Sequence, residues 1–334
     1  MSRFLAAFRF YASSWRGAGH AMRCMTLARV LQKSGWDCLF VTEQESYDFF
    51  PGLQEFERVD PEKFYAHPPM HNLLIVDHYD CGYEYEHHFR PYTQCIMVID
   101  DIANRKHDCD FIVDQAYGRH SDNYASDVPK GCSLLMGPEY ALLRDEFPDL
   151  REKSIQRRKS INRINRIFLN FGGNDQKNMI LETLKELSSI GYSGAIDVVF
   201  GLIAEHRQSV EEFASKMINQ INFHTNPDMA QLLVQADLAV GAPAVSAWER
   251  FCLGVPTILL QTADNQSFTY QALLRDGLAL GGTLKSLSQP GLVLGFDLQF
   301  YNECVDKVSS QTDGRGAYKI AHLIQEFIGK KDAV

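Results

Sequence analysis

Residues 4–42 read FLAAFRFYASSWRGAGHAMRCMTLARVLQKSGWDCLFVT, and this stretch decides the fold. It opens on an apolar run at residues 4–10 and closes on a second, CLFVT, at residues 38–42. Uninterrupted apolar runs of this length suit strands buried on both faces, the mark of a parallel sheet. Between them, Met22, Met25, Leu27, Ala28, Val30 and Leu31 recur at helical spacing along residues 21–34, and Gly35 supplies a stop. Strand, helix and strand at these lengths make a βαβ unit and predict a doubly wound α/β fold.

The rhythm continues outward. LLIVD (residues 73–77), CIMVID (95–100) and FIVD (111–114) read as further strands of the same sheet. A second series begins with RIFLNFGG (166–173) and runs through IDVVFG (196–201), INFHT (221–225), LAVGA (238–242), TILLQ (257–261) and LALGG (278–282). Helical patterns fill the gaps at residues 177–190, 229–236, 246–253 and 265–276. The expectation is two Rossmann-like domains with parallel sheets facing across a cleft: residues 1–158, residues 159–316, and a terminal segment, 317–334, whose amphipathic helix packs back on the first domain. A length of 334 residues suits two domains at roughly 150 residues each.

Composition narrows the class. With 45% hydrophobic and 22% charged residues the chain is ordinary globular material. Its net charge of −9, from 33 Lys+Arg against 42 Asp+Glu, repels a phosphate backbone and argues against a nucleic-acid partner. The one dense basic stretch, REKSIQRRKSINRINR at residues 151–166, reads as a solvated linker. No apolar run approaches the roughly 20 residues of a membrane span, so no membrane insertion is expected. The N-terminal residues lack signal-peptide order, and cytoplasmic residence is the expectation. Eight cysteines without a CxxC pair read as reduced thiols, and no ligand set for a metal emerges.

In open α/β sheets, ligands bind beyond the carboxyl ends of the strands. After the first strand comes Gly17-Ala18-Gly19-His20-Ala21-Met22-Arg23. Gly17 and Gly19 allow a tight turn into a helix whose first amides favour an anion. Met22 stands where a dinucleotide fingerprint needs a third glycine, which disfavours NAD. His20, at a helix N-terminus, is either a cap or a general base, since the dipole there favours the neutral imidazole. Asp77-His78-Tyr79 ends the LLIV strand, where Asp77 can hold a neighbouring base or form a turn. Asp100-Asp101 ends the next strand, as a helix cap or part of a metal site. Gly172-Gly173-Asn174 could cradle a diphosphate on backbone amides. Val245, Ser246 and Glu249 follow the LAVGA strand; Glu249 either accepts from ribose hydroxyls or closes a capping box with Ser246. Asn265 and Gln266 head a further helix, placed to bind a sugar or to cap it.

Six of these segments, in register, resemble one family. FRFYASSWRGAGHAMRCMTLA, IVDHYD, VIDDIANRKHDCD, GPEYALLRDEF, FLNFGGNDQKN and AVGAPAVSAWERFCLGVPTILLQTADNQ are similar to the UDP-sugar hydrolases of pseudaminic acid biosynthesis, the PseG family, from about Phe8 to Gln266. The resemblance implies a GT-B fold like that of MurG, with UDP held mainly by the second domain. It implies hydrolysis, without metal or cofactor, of a UDP-linked 2,4-diacetamido-2,4,6-trideoxyhexose at its anomeric carbon, with inversion. By matching motif positions, His20 is the catalytic residue and Tyr79 lines the site. Glu249 contacts the nucleotide ribose, and Asn265 with Gln266 face the sugar.

The mechanism this implies has His20 accept a proton from water, with Asp77 beside it, while UDP departs towards amides of the second domain. Gly17, Gly19 and Arg23 then sit on the substrate side of the first domain. Two positions depart from the family pattern: Tyr11 replaces an aspartate, and Pro243-Ala244-Val245 replaces smaller hydroxyl or glycine residues. Two alternatives follow: a GT-B glycosyltransferase using a UDP-sugar donor, and a nucleotide-sugar-binding protein impaired in catalysis.

Overall fold

The computed structural model describes residues 4–13, 17–173, 175–201 and 203–332. Contacts divide the chain into two units, Met1–Leu143 with Arg315–Val334, and Arg144–Gly314. The division falls earlier than the expected boundary after residue 158.

In the first unit the strands are β1 (Leu5–Phe10), β2 (Asp37–Val41), β3 (Glu57–Val59), β4 (His71–Asp77), β5 (Thr93–Ile99), β6 (Phe111–Asp114) and β7 (Ser133–Met136). All pair in parallel in the order β3-β2-β1-β4-β5-β6-β7. The crossover helices are α1 (Gly19–Lys33), α2 (Gln44–Phe49), α3 (Pro61–Ala66) and α4 (Tyr83–Phe89). The unbroken apolar runs have the expected cause. Along β4, Leu73 and Ile75 enter one core with Phe8, Phe40 and Leu27, while Leu74 and Val76 enter another with Phe89 and Ile112. β3 and β7 carry no such run because they are edge strands, half-exposed along most of their length.

The second unit begins with α5 (Glu146–Arg158) and carries β8 (Arg166–Asn170), α6 (Met179–Ser189), β9 (Ala195–Phe200), α7 (Arg207–Ala214), β10 (Ile221–Thr225), α8 (Met229–Gln235), β11 (Leu238–Gly241), α9 (Ser246–Cys252), β12 (Thr257–Leu259), α10 (Ser267–Arg275) and α11 (Leu298–Ser309). The parallel sheet runs β10-β9-β8-β11-β12. LALGG, expected as a strand, is irregular; it runs beside β12 with hydrogen bonds from the Leu259 amide to Gly281 and from the Leu280 amide to Thr257.

The basic stretch is no solvated linker. Its first half is α5, and its arginines staple that helix to the rest of the unit. Arg151 donates to the carbonyls of Cys252 and Ser309, and Arg157 to Asp237. Arg158 is fully buried and donates to the carbonyls of Ser154, Leu253, Leu233 and Ala236. Burial lowers its pKa to about 10, with Tyr301 opposing the shift. Arg158→Met keeps the apolar stem but orphans several carbonyls at the ends of α8 and α9, so it costs on the order of 3 kcal/mol. Urea unfolding of the two proteins, read by circular dichroism, measures the difference.

The chain then returns to the first unit as α12 (Gly316–Asp332). Ala317, Ile320, Ala321, Ile324 and Ile328 share one core with α1 and β1. No helix among the described residues is long and apolar enough to cross a membrane.

Candidate active site

Each sheet reverses its strand order beside its first strand, between β1 and β4 in one unit and between β8 and β11 in the other. A reversal leaves adjacent crossovers on opposite faces of the sheet, so a crevice opens beyond the carboxyl ends. Phe10, the last residue of β1, pairs with Asp77, the last of β4. Gly17 makes the turn between β1 and α1 at φ +81°, with its amide on the Ser13 carbonyl at 2.7 Å. α1 has neither a side-chain cap nor an acidic residue in its first turn, which leaves amides for an anion or a developing charge.

His20, the second residue of α1, meets the end of β4. Its Nδ1 lies 2.6 Å from Asp77 Oδ1, and both residues are buried. Arg23, one turn on, donates to Asp77 from Nε at 2.5 Å and from Nη2 at 2.6 Å. Burial works to raise the Asp77 carboxyl, but the Arg23 guanidinium and His20 outweigh it and hold it well below the carboxylate range. An ionised Asp77 assigns the proton to Nδ1 of His20 and the lone pair to Nε2, the tautomer a base needs. The Tyr79 ring packs against the imidazole at 84°, 4.8 Å away between centroids. Burial, then the Asp101 and Asp77 charges, push the Tyr79 phenol up despite Arg23.

Arg23 was expected on the substrate side. It is 3% exposed, and its guanidinium is taken by Asp77 and, from Nη1 at 3.2 Å, by Asp101. Arg23 therefore orders the site from beneath. His78 faces away from the dyad: its Nε2 lies 3.2 Å from Arg9 Nη2, and its Nδ1 accepts the Asp80 amide at 3.1 Å. Arg9 in turn forks onto Glu43 at 2.8 and 3.0 Å. Tyr11, the substituted position, donates to Glu45 at 2.6 Å. Asp100 and Asp101 cap no helix. Asp100 instead folds a turn, accepting the Ala103 amide at 2.9 Å. Among the described residues no group of three His, Cys, Asp or Glu side chains is placed to hold a metal.

In the second unit, Asn170 at the end of β8 pairs with Gly241 at the end of β11. A Cβ on Gly241 would lie 2.5 Å from the Asn170 carbonyl oxygen, so only glycine lets the strands run this close to the loop. The Ser246–Glu249 capping box does not form, because Val245 is the N-cap of α9 and gives no side-chain bond. Ser246 Oγ instead lies 3.2 Å from buried Arg250 Nη1, while Arg250 Nη2 donates to the Ala242 carbonyl at 2.7 Å. Arg250 thus shapes the Ala242–Ser246 loop from below. Burial lowers its pKa to about 10, opposed by Glu249.

The side chain of Glu249 is 16% exposed and lies 3.6 Å from Arg144. Burial raises its pKa, offset by Arg144 and Arg250. The Gly172-Gly173 turn does not run directly into a helix. α6 starts at Met179, and its first amides are occupied by Asp175, at 2.7 Å from Met179 N and 3.0 Å from Ile180 N. The α6 terminus is therefore closed to a phosphate, and any diphosphate contact there belongs to the turn itself. Asn174 lies outside the described residues. Gln266 caps its own turn, Oε1 accepting the Thr262 amide at 2.9 Å, whereas Asn265 is exposed.

Sequence reasoning read Asp101, with Asp100, as a helix cap or part of a metal site, and missed Arg144 and Arg250. The last two stand inside the GPEYALLRDEF and SAWERF segments, and only their burial beside Glu249 and the loop gives them a role.

No family model matches the chain. It is 27% identical over 286 residues to the spore coat polysaccharide biosynthesis protein SpsG of Bacillus subtilis (strain 168), covering 79% of each chain. It is 27% identical over 241 residues to a UDP-2,4-diacetamido-2,4,6-trideoxy-beta-L-altropyranose hydrolase of Campylobacter jejuni, covering 69% of this chain and 81% of that one. The crystal structure of MurG from Acinetobacter baumannii superposes with a TM-score of 0.65 at 13% identity, over 97% of this chain and 99% of that chain. The fold is GT-B.

Proposed function

We propose that the chain, a PseG-like GT-B family member, hydrolyses a UDP-linked 2,4-diacetamido-2,4,6-trideoxyhexose to UDP and the free sugar, with inversion. The observation that carries this reading is the His20–Asp77 pair, 2.6 Å apart at the switch point of the first sheet. The similarity to the altropyranose hydrolase supplies the substrate class.

Water is the nucleophile. Nε2 of His20 takes its proton as oxygen attacks the anomeric carbon, and the imidazolium that forms is stabilised by Asp77 through Nδ1–H. The bond from that carbon to the UDP oxygen breaks on the opposite face, giving inversion. UDP leaves as an anion, so no general acid is required. Tyr79 is unsuited to that part, since burial and the Asp101 charge push its phenol up and make it a weaker acid. At the start of α9 the Ala247 and Trp248 amides bond the Ala244 and Val245 carbonyls, which leaves the Ser246 amide for the departing diphosphate. Glu249, with Arg144 3.6 Å away, accepts from the ribose hydroxyls.

The test is to incubate the protein with the UDP-sugar and no acceptor. Release of UDP with stoichiometric free sugar supports hydrolysis; release only on addition of a second sugar or lipid alcohol supports a transferase. Glu249→Ala weakens UDP binding by about 10–100-fold, the cost of losing hydrogen bonds to a charged group. Calorimetric titration with UDP alone measures it, and His20→Ala leaves that affinity unchanged.

A further inference from the structure

The connection between β4 and α4 is a tight turn, His78-Tyr79-Asp80-Cys81, closed by the Cys81 amide on the His78 carbonyl at 3.3 Å. Tyr79 is the first of its two central residues, and from there its ring packs against the His20 imidazole, 4.8 Å away between centroids. Where that ring stands depends on how the turn is held.

Arg105 holds it. Nη2 donates to the His78 carbonyl at 3.2 Å and Nε to the Cys81 carbonyl at 3.0 Å, so one guanidinium bridges both ends of the turn. Nη1 donates to Asp100 Oδ1 at 3.0 Å. Asp100 is buried just past the end of β5, and its place is fixed: its amide bonds the Val113 carbonyl at 3.1 Å, while Oδ2 accepts the Ala103 amide at 2.9 Å and the Tyr124 hydroxyl at 3.1 Å. A planar fork sets its three acceptors at fixed angles to one another, which a lysine cannot do. The two connections also touch closely. The Tyr83 amide meets the Lys106 carbonyl at 2.9 Å, and a Cβ on Gly82 would lie 3.3 Å from that carbonyl oxygen and 3.5 Å from Arg105 Cδ.

From this geometry we propose that Arg105 is a positioning residue for the hydrolysis: it clamps the turn after β4 to Asp100 and so places Tyr79 against His20. The inference rests on the hydrolase reading of the site. Arg105 acts at one remove, since each of its three nitrogens donates to a protein acceptor. Drift of the turn by a fraction of an ångström carries the Tyr79 ring away from the imidazole, and a base that is no longer aimed loses rate rather than affinity.

The experiment compares Arg105→Ala, Arg105→Lys, Tyr79→Leu and the double variant Arg105→Ala with Tyr79→Leu against wild type, each checked for folding by circular dichroism. Arg105→Ala lowers kcat about 10-fold while calorimetric UDP affinity stays within about twofold of wild type, because the fault is misplacement and not lost binding. Arg105→Lys keeps a charge beside Asp100 without the fork and loses less; it takes the place of alanine throughout if that protein is unstable. On the Tyr79→Leu background the Arg105 change costs less than about twofold, because the side chain it positions is gone. A readout besides activity is the proton NMR signal of the His20 ring, which the Tyr79 ring current displaces. In both Arg105 variants it moves towards its position in Tyr79→Leu.

Equal losses on the two backgrounds, or Arg105 variants with wild-type kcat and an unmoved His20 signal, overturn the assignment. His20→Ala is run alongside: undiminished hydrolysis there removes the hydrolase reading and the inference with it. A large His20→Ala loss beside unaffected Arg105 variants removes the inference alone.

Discussion

His20→Ala lowers UDP release from the UDP-sugar by about 10²–10⁴-fold, the contribution of a positioned general base. The loss falls on kcat, because in the proposed mechanism His20 takes the proton of water while other residues hold the nucleotide. The fold is not at risk: the imidazole is one buried polar group at the start of α1, and alanine is the best helix former. His20→Gln is a sharper variant, since it keeps an amide that can donate to Asp77 yet has no basic nitrogen to offer water. Steady-state UDP release by the three proteins at saturating substrate decides the matter, and a His20→Ala rate within a few-fold of wild type removes the assigned role.

Asp77→Asn produces the second large effect, a kcat lowered by roughly 10²–10⁴-fold, for a reason of tautomers. Asp77 takes a proton-bearing nitrogen from His20 and two from Arg23 on its two oxygens. Asparagine has one oxygen, so its amide must face either Arg23, which has no acceptor, or His20 Nδ1, which then accepts. That puts the His20 proton on Nε2, where it cannot serve as a base.

The same substitution carries a signed pH dependence. The folded Asp77 carboxyl lies well below its ordinary value of 3.8, with Arg23 and His20 overcoming burial. Its stabilisation is therefore present above about pH 4 and is lost as pH falls below that. Thermal midpoints of wild type and Asp77→Asn differ in full at pH 7 and converge towards pH 3; an equal difference at both values contradicts the pairing.

Much of this was legible before any coordinates. The strands that flank each switch point announce themselves because burial on both faces demands unbroken apolar runs, and β4 is the plain case, with Leu73 and Ile75 on one side and Leu74 and Val76 on the other. His20 and Asp77 were singled out by position beyond those strands, with a helix cap and a turn left open beside the catalytic reading, and the family resemblance supplied the role of His20. β3 and β7 escaped because these short edge strands are half-exposed and carry no long apolar run. LALGG misled because an apolar run beside β12 can pair by only part of its backbone.

The contacts that order the site were the least visible. Arg23 meets Asp101 across 78 residues, and nothing local tells an arginine that binds substrate from one spent on two carboxylates. Arg151, Arg157 and Arg158 looked like a solvated run for the same reason, since their partners are carbonyls and a carboxylate 75 to 158 residues away. The Ser246–Glu249 spacing shows the converse: it satisfies a capping box in sequence, yet Val245 holds the N-cap and Glu249 lies beside Arg144.

The central claim is that water, activated by His20, attacks the anomeric carbon directly. Its most direct test is the anomer formed first, observed by proton NMR within the first turnovers and before mutarotation, from a UDP-sugar of known configuration and with no acceptor present. The account predicts a single product anomer of inverted configuration, absent with His20→Ala. A retained anomer, or no free sugar until an acceptor is supplied, contradicts it.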